Sequence, residues 1–459
     1  MAKKQYDLLI IGSGAAGSSA VTAIDKKGLR IALVERGQLG GTCLNYGCDP
    51  TKTMLYIANL LNEAHHASTY GLRIPGAQAD WMAVQQWTQD IITRLRGGTP
   101  EEARAKFAQE GIDVLEGEAR FISPHEISVS GYDDTFSAER IIIATGSETL
   151  IPPIEGLDEA GYITNVQAVS LPTLPRRMAI AGGGAIGIEF AQLFHRFGVE
   201  VTVLERSPNI LDTEDREPAD MLCKLLTEEG IRLETNAEVK RVQRNGDCKR
   251  VTIQCKEQDE EELEVDELLI AVGRRAAFAS LNLEAAGVET HKKGIVVDKT
   301  LRTSVPHIWA AGDVASPYQF THVASEQGKL AAHNALNGYP QPFDDRAIPW
   351  GIFTYPALAH VGQTEQQLQQ DNIEYHAFCV PFSENERAIT EGKTEGLIKL
   401  LVDTKGTILG GHILGTRADD LLAPIVLAMH ASLSVHALAS TMLPYPTVSE
   451  ILRVAAEKL

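Results

Sequence analysis

The stretch Gly40-Gly41-Thr42-Cys43-Leu44-Asn45-Tyr46-Gly47-Cys48-Asp49-Pro50-Thr51-Lys52 holds the residue types best suited to chemistry. Two cysteines enclose four residues and run into Pro50, which favours the first turn of a helix. Cys48 is then expected near the positive end of a helix, where a thiol gives up its proton more readily. Lys52 lies one helical turn beyond it, faces the same side and adds positive charge. That is a setting for a redox-active thiol pair. A zinc half-site spaces its ligands by roughly two to four residues and needs a second pair. No matching Cys/His pair follows downstream, so no resident metal is expected. An ordinary structural disulfide is out of keeping with a large chain that lacks a secretory signal.

The elements that must position this pair are two nucleotide-binding folds. The apolar run 6–11 ends in Gly12-Ser13-Gly14-Ala15-Ala16-Gly17 and opens a small-residue helix, and Glu35 closes the next apolar run, 31–34. Glycines at that spacing let a backbone approach a pyrophosphate at a helix N-terminus, and the acid accepts from ribose hydroxyls. The pattern recurs: strand 178–181, Gly182-Gly183-Gly184-Ala185-Ile186-Gly187, helix 188–197, then strand 201–204 ending at Glu205. Two complete dinucleotide folds imply two nucleotides, or one nucleotide and a flavin. Glu205 favours a free 2′-hydroxyl, hence NADH, whereas the adjacent Arg206 could hold the 2′-phosphate of NADPH.

Composition agrees with a glycine-punctuated α/β protein: 459 residues, 44% hydrophobic, 39 glycines. A net charge of −19 argues against nucleic acid and anionic membrane surfaces as partners. No apolar run approaches a membrane span. The start, Met1-Ala2-Lys3-Lys4-Gln5, enters a strand at once without signal-peptide features, so the cytoplasm is the expected compartment. Cys223, Cys248, Cys255 and Cys379 are scattered and read as unpaired structural thiols.

Between these motifs, residues 55–110 read as largely helical with a loop at 71–79, and 114–121 and 127–129 as short strands. Ile141-Ile142-Ile143-Ala144-Thr145-Gly146 is a buried strand running into a turn, and 268–272 leading to Gly273-Arg274 echoes it. Another buried strand, 308–311, leads to Gly312-Asp313 and a helix at 320–335. From about residue 346 the composition changes to an α+β pattern. Strands are expected at 352–354, 397–402 and 408–414, a turn at Asp403-Thr404-Lys405-Gly406, and helices at 419–431 and 447–458. The resulting division is a first nucleotide domain at 1–150, a second at 151–275, a return segment of the first at 276–345, and a separate domain at 346–459.

With both glycine turns flanking a cysteine pair, the chain resembles the pyridine nucleotide–disulfide oxidoreductases. These FAD enzymes include dihydrolipoamide dehydrogenase, glutathione reductase and mercuric reductase. The resemblance covers essentially the whole chain. It implies that Gly12, Gly14, Ala15, Gly17, Glu35 and Asp313 hold FAD, together with Gly41, Thr42, Ala119, Ala144, Thr145, Gly146 and Thr321, and that Gly273 belongs to the second nucleotide site. It implies a Cys43–Cys48 disulfide in which Cys43 meets the acceptor and Cys48 faces the flavin. Lys52 and Glu189 match an ion pair beside the flavin. Gly182, Gly184, Ala185, Gly187 and Glu205 or Arg206 match the NADH or NADPH site. The last domain resembles the family's dimerisation domain, implying a homodimer. The activity implied is electron transfer from NAD(P)H through FAD and the cysteines to a small-molecule or protein-borne disulfide or other thiol-reactive acceptor.

The pattern departs from the family in four places. Disulfide-reducing members carry a His-Pro-Thr segment with a partnering Glu; here it reads Pro444-Tyr445-Pro446-Thr447-Val448-Ser449-Glu450. The Glu remains, but a phenol with a pKa near 10 is a poor base at neutral pH. A tyrosine there resembles mercuric reductase, whose soft metal needs thiolates rather than an imidazole. However, the sequence ends Ala455-Ala456-Glu457-Lys458-Leu459, without the vicinal cysteines typical of that enzyme. Asp49 stands where an apolar residue is usual and is expected to oppose thiolate formation. Ala185 replaces a tyrosine that covers the flavin in many members. The leading expectation is a disulfide reductase without the usual His. The alternatives are a mercuric reductase-like enzyme using Tyr445, and a redox-sensing flavoprotein partner with weak turnover.

Overall fold

The structure, a computed structural model, describes residues 3–256 and 259–458. Met1, Ala2 and Leu459, which bear on the expected start and end of the chain, lie outside the described residues. The chain forms two units. The first comprises Met1–Thr53, Met82–Leu150 and Gly273–Phe343; the second comprises Met54–Trp81, Ile151–Val272 and Asp344–Leu459.

The first unit is built on a seven-stranded sheet. Its parallel part runs Ile112–Glu116, Ile31–Glu35, Lys3–Ile11, Thr135–Ile143 and Ile308–Ala310. Glu126–Val129 and Ala119–Ser123 continue it antiparallel. Leu8, Leu9, Ile10, Ile141, Ile142 and Ile143 are completely buried, as continuous apolar runs must be in a strand covered on both faces. The expected single strand 114–121 is in fact two, Ile112–Glu116 and Ala119–Ser123, separated at Gly117 with φ 152°. The helices Ala15–Ala23 and Thr321–Leu336 pack together at a glycine: a Cβ on Gly328 would lie 2.0 Å from the Ala16 carbonyl oxygen.

The second unit contains a parallel sheet in the order Arg232–Thr235, Glu200–Glu205, Arg177–Ala181 and Glu267–Ile270. Beside it is a three-stranded antiparallel sheet, Ala237–Asn245, Cys248–Cys255 and Glu260–Val265. Its remaining part is a five-stranded antiparallel sheet: Pro349–Ile352, Ala357–Gly362, Ile408–Gly415, Leu397–Val402 and His376–Pro381. The helix expected at 419–431 is broken into Ala418–Leu421 and Ala423–His430, because Pro424 in the first turn of the second has no N–H to continue the ladder. The last helix begins at Glu450 rather than at residue 447, where the Thr447 amide instead meets the Glu450 carboxylate at 3.2 Å. Among the described residues, no helix is long and apolar enough to cross a membrane.

Candidate active site

Both glycine turns are built alike. Gly12 has φ 102°, and a Cβ there would lie 2.4 Å from the Ala144 carbonyl oxygen; Gly182 has φ 114°, with the Ala271 oxygen 2.3 Å away. Only glycine fits such a position. The helices that follow, Ala15–Ala23 and Ala185–Arg196, are preceded by Gly14 and Gly184 without side-chain caps, leaving their first amides for an anion. In the first turn the Glu35 carboxylate accepts from the Ser13 amide at 2.8 Å and its hydroxyl at 2.7 Å, and from the Gly37 amide at 2.7 Å. In the second, Glu205 accepts from the amides of Gly183 and Ser207, each at 2.7 Å. Arg206 is exposed. The Gly117 amide donates to the Glu35 carbonyl at 2.9 Å, bringing the approach to Ala119 alongside that acid; Ala119 itself is buried and paired with Val129.

The cysteine motif is fastened to the first turn. A Cβ on Gly41 would come within 2.6 Å of the Gly14 Cα, so the two backbones touch, and the Gly40 amide donates to the Ser13 hydroxyl at 3.1 Å. Cys43 lies in the short helix Gly41–Tyr46, which the sequence did not signal; Cys48 opens the helix Cys48–His66, as its place before Pro50 predicts. Thr42 is exposed at the head of the short helix. Both cysteines are free thiols joined by a hydrogen bond. That bond from Cys43 brings Cys48 down to about 6 against the opposing effect of burial, and the Thr321 hydroxyl and Lys52 lower it further. The Thr321 oxygen is 3.4 Å from the Cys48 sulfur. Cys43 moves the opposite way: donating to Cys48, being buried and facing its charge all keep it protonated. The Asp49 carboxylate raises both thiols, the sign expected of it, and burial raises its own pKa. The pair therefore holds one proton and one thiolate near neutral pH, shared between coupled groups.

Three residues of this unit that sequence reasoning passed over join the picture. The Ser147 hydroxyl donates to Asp313 at 2.6 Å and accepts from Arg274 Nε at 2.8 Å, and Arg274 donates a second bond to the Ser147 carbonyl at 2.7 Å. Ser13 is the third. Each sits inside or next to a recognised motif, which is the signal that could have found it. The Thr145 hydroxyl is buried with no partner, and a Cβ on Gly146 or Gly184 would meet nothing within 4 Å. An unpaired buried hydroxyl next to the open Gly146 and against the Gly12 turn fits a bound dinucleotide in the first unit.

In the second unit, Glu189 lies on the helix Ala185–Arg196 and accepts from the Phe353 amide at 3.0 Å. Tyr445 is 71% exposed, and its hydroxyl donates to Glu386, not to Glu450. Glu450 is turned to the Thr447 amide, and Glu386 had no sequence signal. The hydrogen bond to Glu386, and then that acid's charge, push the phenol further above its usual range. Among the described residues, no three His, Cys, Asp or Glu side chains are grouped to hold a metal.

The family model for pyridine nucleotide-disulphide oxidoreductase matches residues 6–328, and that for the family's dimerisation domain matches residues 348–456. The chain belongs to the pyridine nucleotide-disulphide oxidoreductases. A mercuric reductase of Bacillus cereus is 38% identical over 98% of the chain and 71% of its own length. A dihydrolipoyl dehydrogenase of Chlamydia pneumoniae is 35% identical over 98% of the chain and 95% of its own. Among solved structures, the Cu(II) complex of the HOCl-induced flavoprotein disulfide reductase RclA from Escherichia coli superposes with a TM-score of 0.88, at 32% identity, covering 99% of this chain and 100% of that one. As a member of this FAD- and pyridine nucleotide-dependent family, the oxidoreductase acts on sulfur groups. Its α/β fold with a dimerisation domain is the one expected.

Proposed function

We propose that this oxidoreductase passes electrons from NADH, through FAD, to Cys43 and Cys48 and on to a thiophilic acceptor, with a soft metal ion favoured over a disulfide. The observation that carries the choice is Tyr445. The segment that would supply an imidazole base presents an exposed phenol hydrogen-bonded to Glu386, and its pKa is displaced upward, away from neutrality. A dithiol product needs a group that moves protons at neutral pH. A soft metal ion takes thiolates directly as ligands and needs no such base. Relatives named mercuric reductase and the Cu(II) complex of RclA support the same direction.

In this reading Gly12, Gly14, Ala15, Gly17, Glu35, Gly41, Thr42, Ala119, Ala144, Thr145, Gly146 and Asp313 hold FAD, and Gly273 serves the pyridine nucleotide site. When bound, FAD would accept hydride and supply two electrons to the oxidised pair, opening a Cys43–Cys48 disulfide to the thiols seen in this structure. Cys48 keeps its thiolate through Cys43, Thr321 and Lys52, while Cys43 meets the acceptor. Lys52 and Glu189 match the ion pair that the family keeps beside its flavin. Gly182, Gly184, Ala185 and Gly187 receive the pyridine nucleotide. The fixed Glu205 carboxylate would repel a 2′-phosphate and so favours NADH, despite Arg206 next to it. Two electrons per NADH reduce one Hg(II) or two Cu(II). The domains are taken as 1–150 with 276–345, 151–275 and 346–459, the last forming a cytoplasmic homodimer. A second reading, reduction of a lipoamide-like disulfide, draws on the retained Glu450 and the dihydrolipoyl dehydrogenase relative.

The test is anaerobic. The protein is reduced with NADH and mixed in turn with thiol-buffered Hg(II), Cu(II) and lipoamide, while the long-wavelength thiolate-to-flavin absorbance is followed. Rapid loss with either metal and slow loss with lipoamide is expected. Rapid loss with lipoamide alone would overturn the metal preference. Retained flavin with no turnover on any acceptor would favour a redox-sensing partner role.

A further inference from the structure

Residues 206–215 lead from the strand Glu200–Glu205 to the helix Arg216–Glu229. The loop closes on the second glycine turn. The Leu211 amide donates to the Gly183 carbonyl at 3.0 Å, and Ile210 packs so closely that a Cβ on Gly183 would lie 2.5 Å from its Cδ1. Leu211 adopts φ 55°, a left-handed conformation that a branched side chain holds only when its surroundings impose it. From the other side, Arg216 Nη1 donates to the carbonyls of Ile210 at 3.0 Å and Leu211 at 3.3 Å.

Two buried acids lie three and four residues on, and the Glu214 amide donates back to the Leu211 carbonyl at 3.0 Å. Glu214 and Asp215 are 4% and 1% exposed and are sunk into the five-stranded sheet. Asp215 binds Lys399 Nζ at 2.9 Å through one oxygen and the Glu365 amide at 2.9 Å through the other. Lys399, 2% exposed, also reaches Glu365 at 2.6 Å and Glu217 at 3.2 Å. Glu214 accepts from Trp350 Nε1 at 2.7 Å and lies 3.3 Å from His360 Nδ1, with His412 edge-on to that ring at 4.7 Å. Buried ion pairs are poor stabilisers compared with apolar packing; the use best attested for them is to select one register over others. Here, the register selected is that of the loop against Gly183.

We propose that Asp215 and Lys399, with Glu214, are positioning residues for the pyridine nucleotide site: they anchor the 206–215 loop so that Leu211 and Glu205 hold the Gly183 turn in its binding shape. The inference rests on reading that turn as the NADH site. Neither Asp215 nor Lys399 touches the nucleotide; they act through the loop.

The experiment measures NADH dependence with ferricyanide as acceptor in the FAD-loaded protein. Asp215→Asn should raise KM for NADH by about tenfold and change kcat at saturation by less than about twofold, with Asp215→Glu restoring part of the loss. Because Asp215→Asn leaves the Lys399 site short of charge, the double variant Asp215→Leu with Lys399→Met is made alongside; removing both charges favours folding. It should fold with a melting temperature near that of the wild type and still show the raised KM. A folded double variant with wild-type KM would overturn the positioning role while leaving the NADH site intact. A wild-type protein that binds neither NADH nor NADPH would overturn the reading of the turn and the inference with it.

Discussion

Replacing Thr321 by valine should move the titration of Cys48 in a way that changes sign with pH. The Thr321 hydroxyl, 3.4 Å from the sulfur, lowers a thiol that titrates at about 6. A hydrogen bond to a charged acceptor contributes about 1.5–3 kcal/mol net. The hydroxyl is at an exposed residue, and water can replace part of it, so the lower end applies; at about 1.4 kcal/mol per unit the midpoint rises by about one unit. At pH 7 the thiolate share then falls from about 90% to about 50%. A thiolate of higher pKa is also a stronger nucleophile, by about threefold per unit for a Brønsted slope near 0.5. Below both midpoints the variant should be alkylated about threefold more slowly, because the tenfold loss of thiolate outweighs that gain. Above both it should react about threefold faster. The assay is anaerobic iodoacetamide labelling of the reduced protein from pH 4.5 to 9, with fragment-ion mass spectrometry separating Cys48 from Cys43. Thr321→Ser should reproduce the wild-type curve. Profiles of Thr321→Val and wild type that never cross would refute the hydroxyl's role at the thiolate.

Asp49→Asn should act in the opposite direction: the carboxylate raises both thiols, so its removal should shift both alkylation profiles to lower pH, and an upward shift would contradict the assigned sign. His412 is buried, and burial with the neighbouring His360 depresses its pKa to about 3. The unfolded imidazole binds a proton below about pH 6.5 while the folded one does not, so folding stability is full above that pH. It falls by about 1.4 kcal/mol per unit as pH drops toward 3. In urea titrations between pH 4 and 6, His412→Gln should be flatter by about that slope; equal slopes would mean that His412 is protonated in the fold. Ala185 is exposed at the head of the helix Ala185–Arg196, where many family members carry a tyrosine over the flavin. Ala185→Tyr should reduce oxygen and quinone turnover several-fold, and unchanged rates would show that this position does not control access.

Residues whose role is enforced by the backbone within one turn were legible before the fold was known. Gly12 and Gly182 need a left-handed φ against the end of a neighbouring strand, and Glu35 and Glu205 each tie a glycine turn 22 residues back. Constraints of that kind leave a spacing in the chain. Contacts closed by tertiary folding leave none: Tyr445 meets Glu386 across 59 residues, Ser147 meets Asp313 across 166, and Asp215 meets Lys399 across 184. Lys399 is the instructive case. In the run Leu-Ile-Lys-Leu-Leu-Val a single lysine invites placement on a solvent face. Yet every residue of that strand is buried, so the charge is stable there only because Asp215 and Glu365 come to it from distant segments. The same limit governs the acceptor. The His-to-Tyr exchange at 445 is visible in the sequence, but the phenol's hydrogen bond to Glu386, which raises its pKa further, depends on a contact that only the fold supplies.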